Sequence, residues 1–124
     1  MISQVTSFSD ADKEAIREMG PKFVELAGLN TKFSPDWFMT VWGKALSDSV
    51  ASMWRYEKEE RIIGYIGALL HPCLFSGQVI ATEAFWFVHP EHRGGMAGVK
   101  LFLEFMRWCK ELEVSRIQSA HVTG

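Results

Sequence analysis

Two cysteines in 124 residues exclude a disulfide framework. Cys73 and Cys109 both lie in apolar runs and read as reduced, buried thiols. Thirteen Lys and Arg against fifteen Asp and Glu leave a net charge of −2, so the clustered excess of cation that a nucleic-acid coat needs is missing. The first residues, Met1-Ile2-Ser3-Gln4-Val5, lack the basic start and apolar stretch of a secretory leader. The longest apolar run, Ile62 to Phe75, contains Tyr65 and His71 and is too short to cross a bilayer. Zinc-ligand spacing, internal repeats and low-complexity stretches are absent. The expectation is one soluble domain over residues 1–124, in a reducing, cytoplasmic compartment, with neither nucleic acid nor membrane as partner.

What is present is ordinary globular material: 48% apolar and 23% charged residues, with 13% aromatics including five Trp. A chain of this length buries roughly 65% of the surface its unfolded form exposes, enough for one core. Ser9 is placed to cap a first helix, with Asp12 three residues on. Ile16, Met19, Phe23 and Leu26 then recur on one helical face, and Gly20-Pro21 predicts a kink or a division into two short helices. Ser34-Pro35-Asp36 opens a second helix with Phe38, Val41, Trp42 and Ala45 on its apolar face.

The period then changes. Ser49 to Glu57 and Ile62 to Leu70 read as an antiparallel hairpin about the charged turn Lys58-Glu59-Glu60-Arg61, the second strand apolar on both faces and so central. Gln78 to Val88 is a third strand. A helix runs from Ala97 to Glu113 with the polar stripe Lys100, Glu104, Arg107 and Glu111, and its other faces are apolar enough to predict packing on several sides. Arg116 to Val122 is a last strand. The order α-α-β-β-β-α-β predicts an α/β or α+β fold with a mixed sheet, its final strand–helix–strand unit joining parallel strands.

The chemically informative stretch is Thr82 to Leu103: a strand, a basic glycine-rich turn and a helix. Backbone N–H groups of Arg93-Gly94-Gly95 and of the first helical turn can converge on one phosphate, assisted by the helix dipole and by the charge of Arg93. It is not a Walker loop, since no Gly-Lys-Ser/Thr follows, and the chain ends too soon for the dinucleotide fingerprint.

Phe87-Val88-His89-Pro90-Glu91-His92-Arg93-Gly94-Gly95-Met96-Ala97-Gly98-Val99-Lys100-Leu101 resembles motif A of the GNAT superfamily of N-acyltransferases. With Thr82 to Trp86 in front, it is most similar to the short GNAT proteins encoded by bacteriophages, which would place the protein in a host cytoplasm. The resemblance implies a GNAT-like fold and acetyl-CoA as co-substrate, its pyrophosphate held by the backbone of Arg93, Gly94, Gly95, Met96, Ala97 and Gly98. The pantetheine arm would pair with the strand edge at Phe87 and Val88. Met96 stands where the family pattern has Gly, which places a side chain near the expected phosphate path unless Gly94-Gly95 shift the turn.

The resemblance further implies a general base. Glu83 is the candidate, the one acidic residue between Arg61 and Glu91, on an apolar strand that favours a raised pKa. His121 on the last strand is the candidate orienting or relaying group. The acceptor is a primary amine of a small molecule, or of a lysine or N-terminus of a protein such as a host protein, with Trp37 and the loop from Gly28 to Phe33 on the acceptor side. His89-x-x-His92 is a weak metal pair without a third ligand, so no metal is expected.

Two departures from the family pattern support an alternative, a non-catalytic GNAT-fold protein that binds a partner, such as a virion component or an inhibitor of a host protein. Met96 is one. The other is the end of the chain, about one helix and one or two strands earlier than the pattern, with no Tyr matching the family's frequent general acid because Tyr56 and Tyr65 lie in the hairpin. The last strand would then need another protomer, a partner or further chain beside it.

Overall fold

The computed structural model describes residues 1–119. Its elements are β1 (Ile2–Gln4), α1 (Asp10–Leu26), α2 (Pro35–Ser47), β2 (Ala51–Lys58), β3 (Arg61–Pro72), β4 (Val79–Val88), α3 (Ala97–Glu111) and β5 (Arg116–Ser119). The sheet runs β1-β2-β3-β4-β5. Every neighbouring pair is antiparallel except β4 and β5, which are parallel. The mixed sheet and its parallel final unit match the expectation. The element order does not: a strand precedes the first helix. Three residues carry too little pattern to read as a strand, and Ile2–Gln4 becomes one because β2 offers Trp54 to Tyr56 as partners.

Helices cover both faces, which explains why β3 is apolar on both. On one side, Trp54, Ile66, Ala68 and Ala81 meet Leu101, Phe105 and Cys109 of α3. On the other, Met53, Tyr65 and Phe87 meet Val5, Ile16 and Met19, with Phe38, Met39, Trp42 and Leu46 of α2 half-buried against them. Val41, expected on the inner face of α2, is exposed. α3 presents one buried stripe, Ala97, Leu101, Phe105 and Cys109, while Val99 and Leu103 face outward, so the expected packing on several sides is not observed.

Ser9 and Asp12 form a reciprocal capping box at the start of α1. Asp12 goes further: fully buried, it accepts from the Tyr65 hydroxyl at 2.6 Å and from Arg55, tying α1 to β2 and β3. Burial raises the pKa of this carboxyl, but the hydrogen bonds from Tyr65, the Ser9 N–H and Arg55 outweigh it and hold it below the ordinary value. α1 continues through Pro21 as one helix, correcting the expected division. Pro21 is on the exposed side, and burial of Ile16 and Met19 against the sheet outweighs the lost backbone bond.

Candidate active site

The site is built around an irregularity in β4. Gly67 pairs with Phe85 and Ala68 with Glu83, so Ala84 is an extra residue, a β-bulge. Strict alternation would put Ala81, Phe85 and Phe87 on one face. Instead Ala81 belongs to the α3-side core, and Phe85 and Phe87 to the α1–α2 side. The bulge switches the faces between Glu83 and Phe85.

Glu83, just before the bulge, is buried and accepts from the Ser119 hydroxyl of β5 at 3.3 Å. It lines a groove of about 550 Å³ with Trp86, Val88, Arg93, Gly98 and Ser119. Among the described residues, β5 pairs with β4 only from Ile80 to Glu83. Glu83 pairs with Ser119, the last described residue, and Phe87 and Val88 further along β4 border the groove. His121, the expected relay, lies outside the described residues.

Past Val88 the chain makes a single 3-10 turn at Pro90–His92 and reaches α3 through Arg93 to Met96. Gly94 takes φ +91°, which lets the turn reverse, and a Cβ there would meet nothing within 4 Å. No side chain caps α3, so its first N–H groups keep their capacity for an acceptor such as phosphate. Arg93 folds back on the strand, donating from Nε to the Val88 carbonyl at 2.9 Å with its guanidinium 5.1 Å from the Phe87 ring centre. Trp86 donates to the Gly98 carbonyl at 3.2 Å and stacks near Phe102, setting a flat aromatic wall on the groove.

Met96 does not stand in this groove. Its side chain is 59% exposed and borders a separate hollow with Met1, Tyr56 and Glu60. Gly95 and Ala97 line that same hollow, Gly98 lines the groove and Arg93 lines both.

His89 is structural. It is buried, its Nδ1 accepts the Glu91 N–H at 3.3 Å, and its Nε2–H therefore faces Glu18 Oε1 of α1 at 3.1 Å. That hydrogen bond, supported by Lys22 and Arg61, lowers the Glu18 pKa. Its ring meets that of His92 edge-on at 6.1 Å. Among the described residues no group of three or more His, Cys, Asp and Glu is arranged to hold a metal, and no helix is long and apolar enough to cross a membrane.

Both cysteines are free. Cys109 is buried in the α3-side core, which pushes its thiol up to about 11. Cys73, expected to be buried, is half-buried after β3, where a hydrogen bond with Ser76 lowers its pKa.

A second hollow, about 270 Å³ and almost wholly apolar, lies across β4 between α1 and α2. Phe33 from the Gly28–Phe33 loop lines it, with Phe38 and Trp42 of α2. Trp37, the expected acceptor-side residue, is 71% exposed and does not line it. Sequence reasoning missed Phe23, Phe38, Phe85 and Ser119; Phe38 at least was legible on the apolar face of α2, one turn from Trp42.

The model of the acetyltransferase (GNAT) family matches residues 17–124. The fold is shared with solved structures of low sequence identity. A ribosomal-protein-alanine N-acetyltransferase from Brucella melitensis biovar Abortus is 15% identical, with TM-score 0.72 over 99% of this chain and 81% of its own. A predicted acetyltransferase from Clostridium acetobutylicum, solved with acetyl-CoA, is 12% identical, with TM-score 0.76 over 99% and 82%. An acetyltransferase from Vibrio fischeri is 14% identical, with TM-score 0.74 over 98% of each chain. Curated proteins yield no significant match. With the family model covering residues 17–124 and the strand, turn and helix in place, the chain belongs to the acetyltransferase (GNAT) family and is an enzyme of that type.

Proposed function

We propose that the protein moves an acetyl group from acetyl-CoA to a primary amine by direct transfer. The observation that carries this reading is the groove in which Glu83, Phe87, Val88, Arg93 and Gly98 come together. The backbone of Arg93, Gly94, Gly95, Met96, Ala97 and Gly98 would hold the pyrophosphate, and the edge at Phe87 and Val88 the pantetheine arm. The thioester would then lie near Glu83.

The amine must be neutral to attack. Glu83 takes the proton of the ammonium group, and the freed lone pair forms a C–N bond to the thioester carbonyl carbon. The zwitterionic tetrahedral adduct then breaks its C–S bond as its nitrogen gives up its extra proton to the departing sulfur, releasing a neutral amide and the CoA thiol. His121 is the proposed relay for one of these protons. A covalent route through cysteine has little support, because Cys109 is buried in the core and neither thiol lines the groove.

Titration calorimetry with acetyl-CoA tests the reading, with release of CoA thiol as the measure of turnover. Saturable heat is expected from the native chain. No heat at millimolar acetyl-CoA overturns the proposal and restores the partner-binding alternative.

A further inference from the structure

We infer that the accepted amine carries an aromatic or branched alkyl group and that this group sits in the apolar cavity between α1, α2 and β4. The inference rests on the acetyl-transfer reading above and adds a substrate class to it.

The cavity of about 270 Å³ is walled by Met19, Phe23, Phe33, Phe38, Trp42 and Phe85. A cavity of about 150 Å³ suffices for benzene, so a ring with a short chain fits. No acidic or basic side chain lines it. The polar side chains in its lining are Tyr65, whose hydroxyl already donates to Asp12 at 2.6 Å, and Trp42, whose indole N–H only donates. A second ammonium would lose its water there without an acceptor and a hydroxyl-rich body would find at most one donor, whereas a hydrocarbon group loses nothing.

Two of the wall rings are packed directly over glycine backbone. The Phe33 ring occupies the position a Cβ would take on Gly20, and the Phe85 ring does the same at Gly67. Phe85 is held edge-on by Trp42 at 5.0 Å and by Phe38 at 5.5 Å between ring centres.

The cavity also adjoins the groove. Phe23 and Phe87, 5.9 Å apart edge to face, line both hollows. Glu83 lines the groove while its neighbour Ala84 lines the cavity, because the bulge turns the strand between them. Phe23 and Phe87 are therefore the shared wall past which the amine of a seated ring would extend to the carboxylate. A free arylalkylamine and the N-terminus of a peptide beginning with Phe share this chemistry.

The test compares five acceptors at saturating acetyl-CoA: phenethylamine, the tripeptide Phe-Gly-Gly, ethanolamine, putrescine and Ser-Gly-Gly. At least one of the first two is expected to exceed the last three by about 100-fold in kcat/KM, the scale on which apolar pockets discriminate. The better of the two identifies the source, free amine or peptide. Val24→Trp, which fills the cavity from α1, is expected to raise KM for the preferred acceptor at least tenfold while acetyl-CoA still gives its heat. Should that variant fail to fold, Phe38→Ala enlarges the cavity and is expected to shift preference towards 2-naphthylethylamine.

Equal or better turnover of ethanolamine or putrescine overturns the inference, and so does acetyl-CoA binding with no turnover of either aromatic acceptor. If acetyl-CoA itself gives no heat, the acetyl-transfer reading fails separately. A fluorescence titration with phenethylamine, using Trp42→Phe to isolate the signal, then decides the cavity alone: a saturable change upholds its ligand class, and none overturns it.

Discussion

The two faces of β4 are built for opposite conditions. Towards α3, Glu83, Arg93 and Gly98 line a groove that carries charge and is closed off by Phe23 and Phe87. On the α1–α2 side, a few residues along the same strand, Ala84, Phe85 and Phe87 line a cavity with no charge in it. One bulged residue separates them. In the proposed mechanism the strand serves chemistry on one face and selection on the other, because a single extra residue resets its alternation. A third region gives the contrast scale: the Asp12–Arg55–Tyr65 cluster is as buried as the cavity, yet its polar groups satisfy one another and hold the elements together.

The sharpest way to break this division is Glu83→Gln. Turnover is expected to fall by about 10²–10⁴ with acetyl-CoA affinity intact, the range for loss of a general base. Turnover equal to the native rate in steady-state assays removes Glu83 from the role.

Asp12→Asn comes next and acts on stability. It takes the buried carboxylate from the partly buried Arg55 and leaves it only the Glu57 carboxylate at 3.2 Å, so denaturant unfolding is expected to lose about 3 kcal/mol. Because the folded-state pKa of Asp12 lies below its ordinary value, its contribution is present above the carboxylate range and lost as pH falls through the folded value. Native stability should therefore drop below about pH 4, and Asp12→Asn should remove that part of the drop. A variant with an unchanged acid profile contradicts the assignment.

Gly20→Ala and Gly67→Ala push a Cβ into the Phe33 and Phe85 rings, with an expected loss of about 1–3 kcal/mol in the same unfolding assay. Gly98→Ala is the counterpart on the other face. Its Cβ would meet Val88 at 3.5 Å and Trp86 at 3.8 Å, ordinary contact, so the fold should keep its stability while acetyl-CoA affinity falls about tenfold. The smallest effect is expected for Arg107→Ala on the outer stripe of α3, where the guanidinium that pairs with Glu104 and Glu111 is itself solvent-exposed and the melting temperature should not move.

Much of the fold was legible because burial leaves a period. The two-faced apolarity of β3, the cap at Ser9 and the proline at the start of α2 each have a local cause that the sequence displays. The strand–turn–helix from Thr82 to Leu103 was legible for the same reason, with glycines where the chain reverses. What was hidden depends on distant partners. β1 exists through pairing with β2, α1 survives Pro21 through its packing on the sheet, and Phe85 turns away from Glu83 because of a register shift against Gly67 and Ala68. Met96 read as an obstruction from its side-chain size; it is exposed and borders a different hollow, a placement that spacing alone does not display.

The division between the two faces of β4 is tested most directly by one steady-state measurement: kcat and KM for phenethylamine in the native chain, Glu83→Gln and Val24→Trp. The account predicts that Glu83→Gln lowers kcat and leaves KM in place, while Val24→Trp raises KM and leaves acetyl-CoA binding intact. A rise in KM with unchanged kcat in Glu83→Gln, or native KM in Val24→Trp, would contradict it.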